Sequence, residues 1–374
     1  MKRFLFALML FALFSVRAFS IDKLDFNQQL DAIGIEEIED NIPDNAQSLL
    51  NEINLEKFNF AQMLKLAPKD FFALMAEILK NQIKAPMVVL FSVFGIVVLC
   101  AMLSGLKDTI NHSSIISVFD TVSILCICVA IIKPVIACIN VVIGAIEQCS
   151  TFMITFIPIW ASTVTASGQP VTATTYNIFL FSVCQVISQV AAKFIVPMMC
   201  VYLALSIMGS LSSDFNISGC SNTIKTIVSF SLGLLLSLFV GVLSVQTFIS
   251  SGADSVTAKT AKFVIGSFIP VVGGMLSDAY MAAQGCIKFL KTTIGAYGIT
   301  VALLTFLPVL LQLVLWYFTV NISTAAADLF EIKQVSGLLK SISSALSVLM
   351  AIIVFYALLI IISISIILVS GLGL

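Results

Sequence analysis

Residues Ser150–Ala166 read STFMITFIPIWASTVTA, and residues Lys262–Met281 read KFVIGSFIPVVGGMLSDAYM. Both stretches are apolar, centred on Phe-Ile-Pro and followed by small residues. After Pro158 come Ala161, Ser162, Thr163 and Thr165; after Pro270 come Gly273, Gly274 and Ser277. A second proline follows at nearly the same distance, Pro197 lying 39 residues after Pro158 and Pro308 lying 38 after Pro270. A polar linker closes each copy, Phe215–Lys225 and Phe330–Lys340, with Phe, Ile, Ser and Lys at identical internal spacing. The offsets between these landmarks are 112, 111 and 115 residues, which reads as an internal duplication. The repeat units cover about 115–222 and 224–340.

Composition sets the class. Of 374 residues, 59% are hydrophobic and 10% charged, whereas a soluble domain carries about 25% charged residues. Several apolar runs are long enough to cross a bilayer as helices, which defines an all-α, polytopic membrane protein. A barrel is excluded, because its strands alternate in polarity and these runs do not. About eight hydrophobic elements follow in order: Ala85–Leu106, Ile115–Ile146, Ser150–Ala166, Tyr176–Met208, Ile224–Ser250, Ala261–Met281, Ile299–Ile322 and a final span within 346–369. Ser150–Ala166 and Ala261–Met281, the two Phe-Ile-Pro elements, are expected to be short and broken by Pro and Gly, since proline removes a helix hydrogen bond.

The N-terminus has the form of a signal peptide over residues 1–20. Lys2 and Arg3 precede the apolar core Phe4–Val16, and Ala18-Phe19-Ser20 offers a cleavage site. Arg17 beside that site leaves an uncleaved anchor as the alternative. Residues 21–84 then form a small exported segment that holds twelve of the 20 acidic groups. Ile21–Pro43 reads as a solvated linker, while Asn45–Lys57 and Lys69–Lys84 read as helices. On the second, Phe71, Phe72, Met75, Ile78, Leu79 and Ile83 recur at helical spacing, a face for the membrane surface or a partner. Residues 85–374 form the membrane domain.

Topology turns on the Phe-Ile-Pro pair. If both elements cross, each unit has three crossings and the units are inverted; if both re-enter, each unit crosses twice and the units are parallel. With eight crossings, Lys107, Lys259, Lys262, Lys333 and Lys340 are cytoplasmic, while Lys225, Lys288 and Lys291 are not. That small bias follows the positive-inside rule. Both counts are even, so Leu374 is expected outside the cytoplasm.

Polar residues within the apolar runs give the candidate sites. Ser182, Gln185, Gln189 and Lys193 share one helix face and form a candidate polar seam. Pro197 removes the usual partner of the Lys193 carbonyl. The seam lines a wet path, or it packs against a neighbouring helix. Positions 111 residues on, Thr293, Ala296, Thr300 and Leu304, carry no charge. Lys133, Asn140 and Glu147 form a similar face, with Glu147 expected at the membrane edge. Pro158, Ser162 and Thr165 with Pro270, Gly273, Gly274 and Ser277 are the candidate central elements, expected to face each other near a pseudo-symmetry axis.

Other chemistry is absent from the pattern. All nine cysteines follow Lys84 and read as packing residues, and His112 has no companion ligand, so no metal or cofactor is expected. No phosphate loop, His-Glu-x-x-His motif or nucleophile elbow occurs, and Asp120, Asp254 and Asp278 do not pair as an intramembrane aspartyl protease requires. No basic patch suits nucleic acid. The expected protein is therefore non-enzymatic.

The doubled elements, the continuation Ala166-Ser167-Gly168-Gln169-Pro170-Val171 and the stretch Phe268–Gly274 followed by Leu276-Ser277-Asp278-Ala279 resemble the stage III sporulation protein AE family. That resemblance covers essentially the whole chain. It implies a component of a channel or secretion-like complex joining mother cell and forespore, needed for late forespore gene expression. It places the exported segment in the intermembrane space. It implies partners from the same complex, including a secretion-type ATPase and ring-forming membrane proteins, and it assigns no functional residue. The alternative is a self-sufficient secondary transporter with duplicated halves, whose ionisable site would lie beside the broken segments.

Overall fold

The computed structural model describes residues 35–52, 68–105, 113–211, 218–268 and 273–370. The signal peptide, Pro270, His112 and the linker Phe215–Ile217 fall outside these residues. Every described element is helical. Three short helices come first: α1 (Ile35–Asp40), α2 (Asp44–Glu52) and α3 (Pro68–Gln82). The membrane domain then consists of α4 (Lys84–Gly105), α5 (Ser113–Ala166), α6 (Pro170–Val190), a π turn (Ala191–Ile195), α7 (Val196–Leu211), α8 (Ser218–Phe268), α9 (Gly273–Leu329) and α10 (Lys333–Ser370).

Among the described residues, six stretches are long and apolar enough to cross a membrane: Lys84–Met102, Thr121–Ala166, Pro170–Gly209, Asn222–Val256, Ile287–Leu329 and Lys333–Ile366. Seven of the eight expected elements are carried on these six, while Ala261–Met281 falls between the fourth and the fifth and lies partly outside the described residues. Ile115–Ile146 and Ser150–Ala166 share the single helix α5, which runs through Pro134 and Pro158 without ending. This corrects the expected break at Pro158. One proline costs a helix one hydrogen bond, and the flanking turns hold when the bulk of the helix is packed. Pro158 and Ile154, one turn before it, both lie on the exposed side, so the ring displaces no packed neighbour. A 54-residue helix is about 81 Å long, far beyond a hydrocarbon core of about 30 Å.

The core is built on α9 and α10, which pack together more extensively than any other pair, with α5 against both. Buried Phe152, Phe156 and Trp160 of α5, Tyr297 and Phe306 of α9, and Tyr356 of α10 supply its bulk.

Two turns show why the long helices reverse where they do. After α5, the Gln169 N–H donates to the Val164 carbonyl at 3.3 Å and the Gly168 N–H to the Thr165 carbonyl at 3.0 Å. This left-handed C-terminal cap needs φ near 87° at Gly168, which glycine adopts freely. Pro170 then opens α6, where its missing N–H has no helix partner to lose. After α9 the same pattern recurs, with the Ile332 N–H donating to Ala327 at 3.0 Å. Here Glu331 takes the left-handed position at φ 58°, which costs a residue with a Cβ about 1–2 kcal/mol. Asp328 offsets this: it accepts a hydrogen bond from Ser336 and lies 3.0 Å from Lys340 Nζ. Ser336 and Lys340, two landmarks of the second linker, thus hold the turn they follow.

The segment before α4 is docked rather than separate. α1 packs on α5, and α2 and α3 pack on α9. Ile38, expected in a solvated linker, is fully buried, which corrects that reading: a single apolar turn finds a site on α5. Gln148 of α5 donates to Asp44 at 3.5 Å. On α3, Leu74 and Ile78 are buried and Leu79 is half-buried against the core, whereas Phe72 is 63% exposed. The two apolar positions therefore separate in a mutational test. Leu79→Ser should lower the melting temperature of the detergent-solubilised chain, with a loss of about 1–3 kcal/mol. Phe72→Ser should leave it within about 0.5 kcal/mol and instead weaken co-purification of partners. Unchanged co-purification from the Phe72→Ser chain would remove the partner role.

Candidate functional site

Among the described residues, the buried charge collects at the reversal between α5 and α6. The Asp254 carboxylate, 2% exposed on α8, accepts the N–H of Val171 at 3.0 Å and of Thr172 at 2.9 Å. These are two of the unpaired donors that open α6, so Asp254 is a cap delivered from another helix. The Lys291 side chain, 2% exposed on α9, donates to Oε1 of Gln169 in the turn at 2.8 Å. Its backbone carbonyl accepts the indole N–H of Trp160 at 3.2 Å. Thr172 is fully buried beside Asp254, and its hydroxyl has no hydrogen-bond partner. One anion, one cation and a Trp from the first Phe-Ile-Pro stretch thereby tie α5, α6, α8 and α9 at a single junction.

The junction holds helices in register and presents no reactive pair. Asp254 has both oxygens committed to backbone donors, and Lys291 reaches a neutral amide. From sequence, Asp254 has no visible partner and Lys291 reads as a loop lysine. The available signal was Asp254 itself, the sole acidic residue between Lys225 and Lys262 in an apolar run. Its partners lie more than 80 residues away, so local spacing does not reveal them.

The candidate seam lies elsewhere. Ser182, Gln189 and Lys193 are exposed and Gln185 is half-buried, so the seam faces out of the chain. Ser182 bonds to its own helix, donating to the Ile178 carbonyl at 2.7 Å. Lys193 sits in the π turn directly before Pro197. A π turn shifts backbone bonding by one residue, the adjustment that accommodates a proline without ending the helix. Lys193→Met should keep the chain in the membrane and impair its function if the seam is wet; unchanged function at normal protein level would leave only a packing role.

The candidate central elements are not brought together by any described contact. Pro158, Ser162 and Thr165 stand on the exposed side of α5. Gly273, Gly274 and Ser277 fall in the first turns of α9, with their side chains outside the described set, and Pro270 precedes them. The inward side of the first element meets Lys291 and Gly298 of α9 instead, through Trp160 and Phe156.

Fold and site define a polytopic, all-helical membrane protein whose buried charges join helices. The family model described as stage III sporulation protein AE matches residues 53–371, and the chain belongs to that family. It is similar to the stage III sporulation protein AE of Bacillus subtilis (strain 168), at 26% identity over 255 residues. That match covers 68% of this chain and 62% of the relative. No solved structure matches.

Proposed function

We propose that the chain is a non-enzymatic membrane component of a channel or secretion-like complex linking mother cell and forespore. Family membership over residues 53–371 carries this reading. The junction at Asp254 and Lys291 supports it, because its buried charges are spent on joining helices. A secondary transporter would instead hold an ionisable site open to its substrate near the midplane. In this reading residues 21–84 lie in the intermembrane space, with α1 on α5 and with α2 and α3 on α9. The partners are the other membrane proteins of the complex, among them a secretion-type ATPase and ring-forming components. The test is complementation in a spore-forming bacterium that lacks its own family member. Expression of this chain should restore late forespore gene expression, and the tagged chain should co-purify with the other components. Restored expression with no co-purifying membrane protein would point to the transporter instead.

A further inference from the structure

One outward stripe of α5 has the spacing of a helix seam. Cys126, Val129, Lys133, Ile136 and Asn140 follow one another at alternating intervals of three and four residues, and Glu147 continues the row. That period keeps them on one side, where a second helix can pack along them. All six are exposed, Val129 at 79% and Ile136 at 48%. Among the described residues, neither Lys133 nor Asn140 has a hydrogen-bond or ion-pair partner.

The height of Lys133 follows from contacts between α5 and α9. The Trp160 indole meets the Lys291 carbonyl and Phe156 lies against Gly298, so the two helices run antiparallel. Counted from those contacts, α9 ends at Leu329 about 15 Å beyond the height of Lys133. The turn there carries Asp328, Glu331 and Lys333. In the other direction Gln148, which touches Asp44 of the N-terminal segment, is about 22 Å away. The two charged levels are thus about 37 Å apart, close to the length of the single crossing α4, about 33 Å. Lys133 stands between them in the apolar layer, and its stem is shorter than the way to either level. Asn140 stands about 10 Å nearer to Gln148.

Lipid is a poor neighbour for this stripe, because hydrocarbon offers nothing to an ammonium or an amide. Water is a poor one too, because Val129 and Ile136 alternate with the polar groups. A second helix satisfies both, with apolar contact at Val129 and Ile136, a hydrogen bond at Asn140 and a carboxylate at Lys133. Another copy of the chain, inserted the same way up, does not bring that carboxylate. Asp120 and Glu147 lie about 20 Å along α5 on either side of Lys133. Asp254 is committed at the junction, and Asp328 and Glu331 belong to the turn after α9. Resting on the reading of the chain as part of a larger membrane complex, we infer that this face of α5 docks a membrane-spanning helix of a different protein, with an Asp or Glu opposite Lys133.

The test uses the full chain in sporulating cells, with a photoreactive benzoyl-phenylalanine in place of Val129 or of Ile136. Irradiation should join both positions to one membrane protein other than this chain. In the Ile136-substituted chain, Lys133→Met should weaken that adduct about tenfold at normal chain level, whereas Lys133→Arg, which keeps the charge, should retain it. Lys133→Asp should abolish the adduct, and exchange of the partner's intramembrane carboxylate for Lys should restore it. Adducts to lipid alone, or between two differently tagged copies, would overturn the inference. So would an adduct indifferent to Lys133→Met, or one that the charge exchange does not restore. The complex reading fails separately, by a parent chain that co-purifies with no membrane protein at all.

Discussion

Asp254→Ala should lower the stability of the solubilised chain by about 3–5 kcal/mol, the range for breaking a buried charged contact. Three losses add. The N–H groups of Val171 and Thr172, bonded at 3.0 and 2.9 Å, lose their acceptor in a buried place where water does not replace it. The positive end of α6 loses the anion that faces it. Lys291, at 2% exposure, loses the nearby carboxylate. Asp254→Asn retains an acceptor and should cost less, about 1–2 kcal/mol. Lys291→Met fills similar volume without charge and should lie between the two. Thermal unfolding in detergent gives the order, and proteolysis should appear first at Ser167–Gln169, where the turn loses its tie. If Asp254→Ala melts with the parent chain, the carboxylate is not the cap described.

What the sequence made legible and what it hid divide along a physical line. Hydropathy is a property of each residue, so runs such as Leu346–Val369 announce a membrane helix without any knowledge of neighbours. Turn chemistry is nearly as local: Gly168 followed by Pro170 marks the end of α5 and the start of α6. Proline was the misleading signal. Pro134, Pro158 and Pro308 all lie inside continuous helices, because long packed helices hold their flanking turns when one bond is missing. Pro197 instead coincides with a π turn. The same residue type therefore has different outcomes in one chain, and exposure alone does not decide them, since Pro158 and Pro197 are both exposed and Pro134 and Pro308 half-buried. Asp254, Lys291 and Ile38 were illegible for a different reason. Each is meaningful only through a partner far away in sequence, and no alternation or spacing within its own segment records that partner.

Gly298→Val should be nearly as damaging as Asp254→Ala, with a loss of about 3 kcal/mol from overpacking. A Cβ at this position would collide with Cζ of Phe156 and lie 2.7 and 2.9 Å from the adjoining ring carbons. The ring has nowhere to go. It is fully buried and stacked between Phe152, at 5.3 Å between centroids, and Trp160, at 5.8 Å. Even Gly298→Ala should destabilise, although alanine is favoured over glycine inside a helix by about 1 kcal/mol. Gly295, one turn earlier, is the contrast: a Cβ there meets the end of the Leu368 side chain, which can rotate aside. Gly295→Ala should therefore change stability by less than about 1 kcal/mol. The decisive measurement is a double-mutant cycle. Phe156→Ala alone should cost about 3–5 kcal/mol through the cavity it leaves. In the Phe156→Ala background the added methyl at position 298 no longer meets a ring, and the two effects should fall short of their sum by about 1–3 kcal/mol. Strict additivity across the four melting curves would mean that the first Phe-Ile-Pro element does not seat against α9 through this pair. The junction at Trp160 and Lys291, one helical turn further along α5, would then lose its support as well.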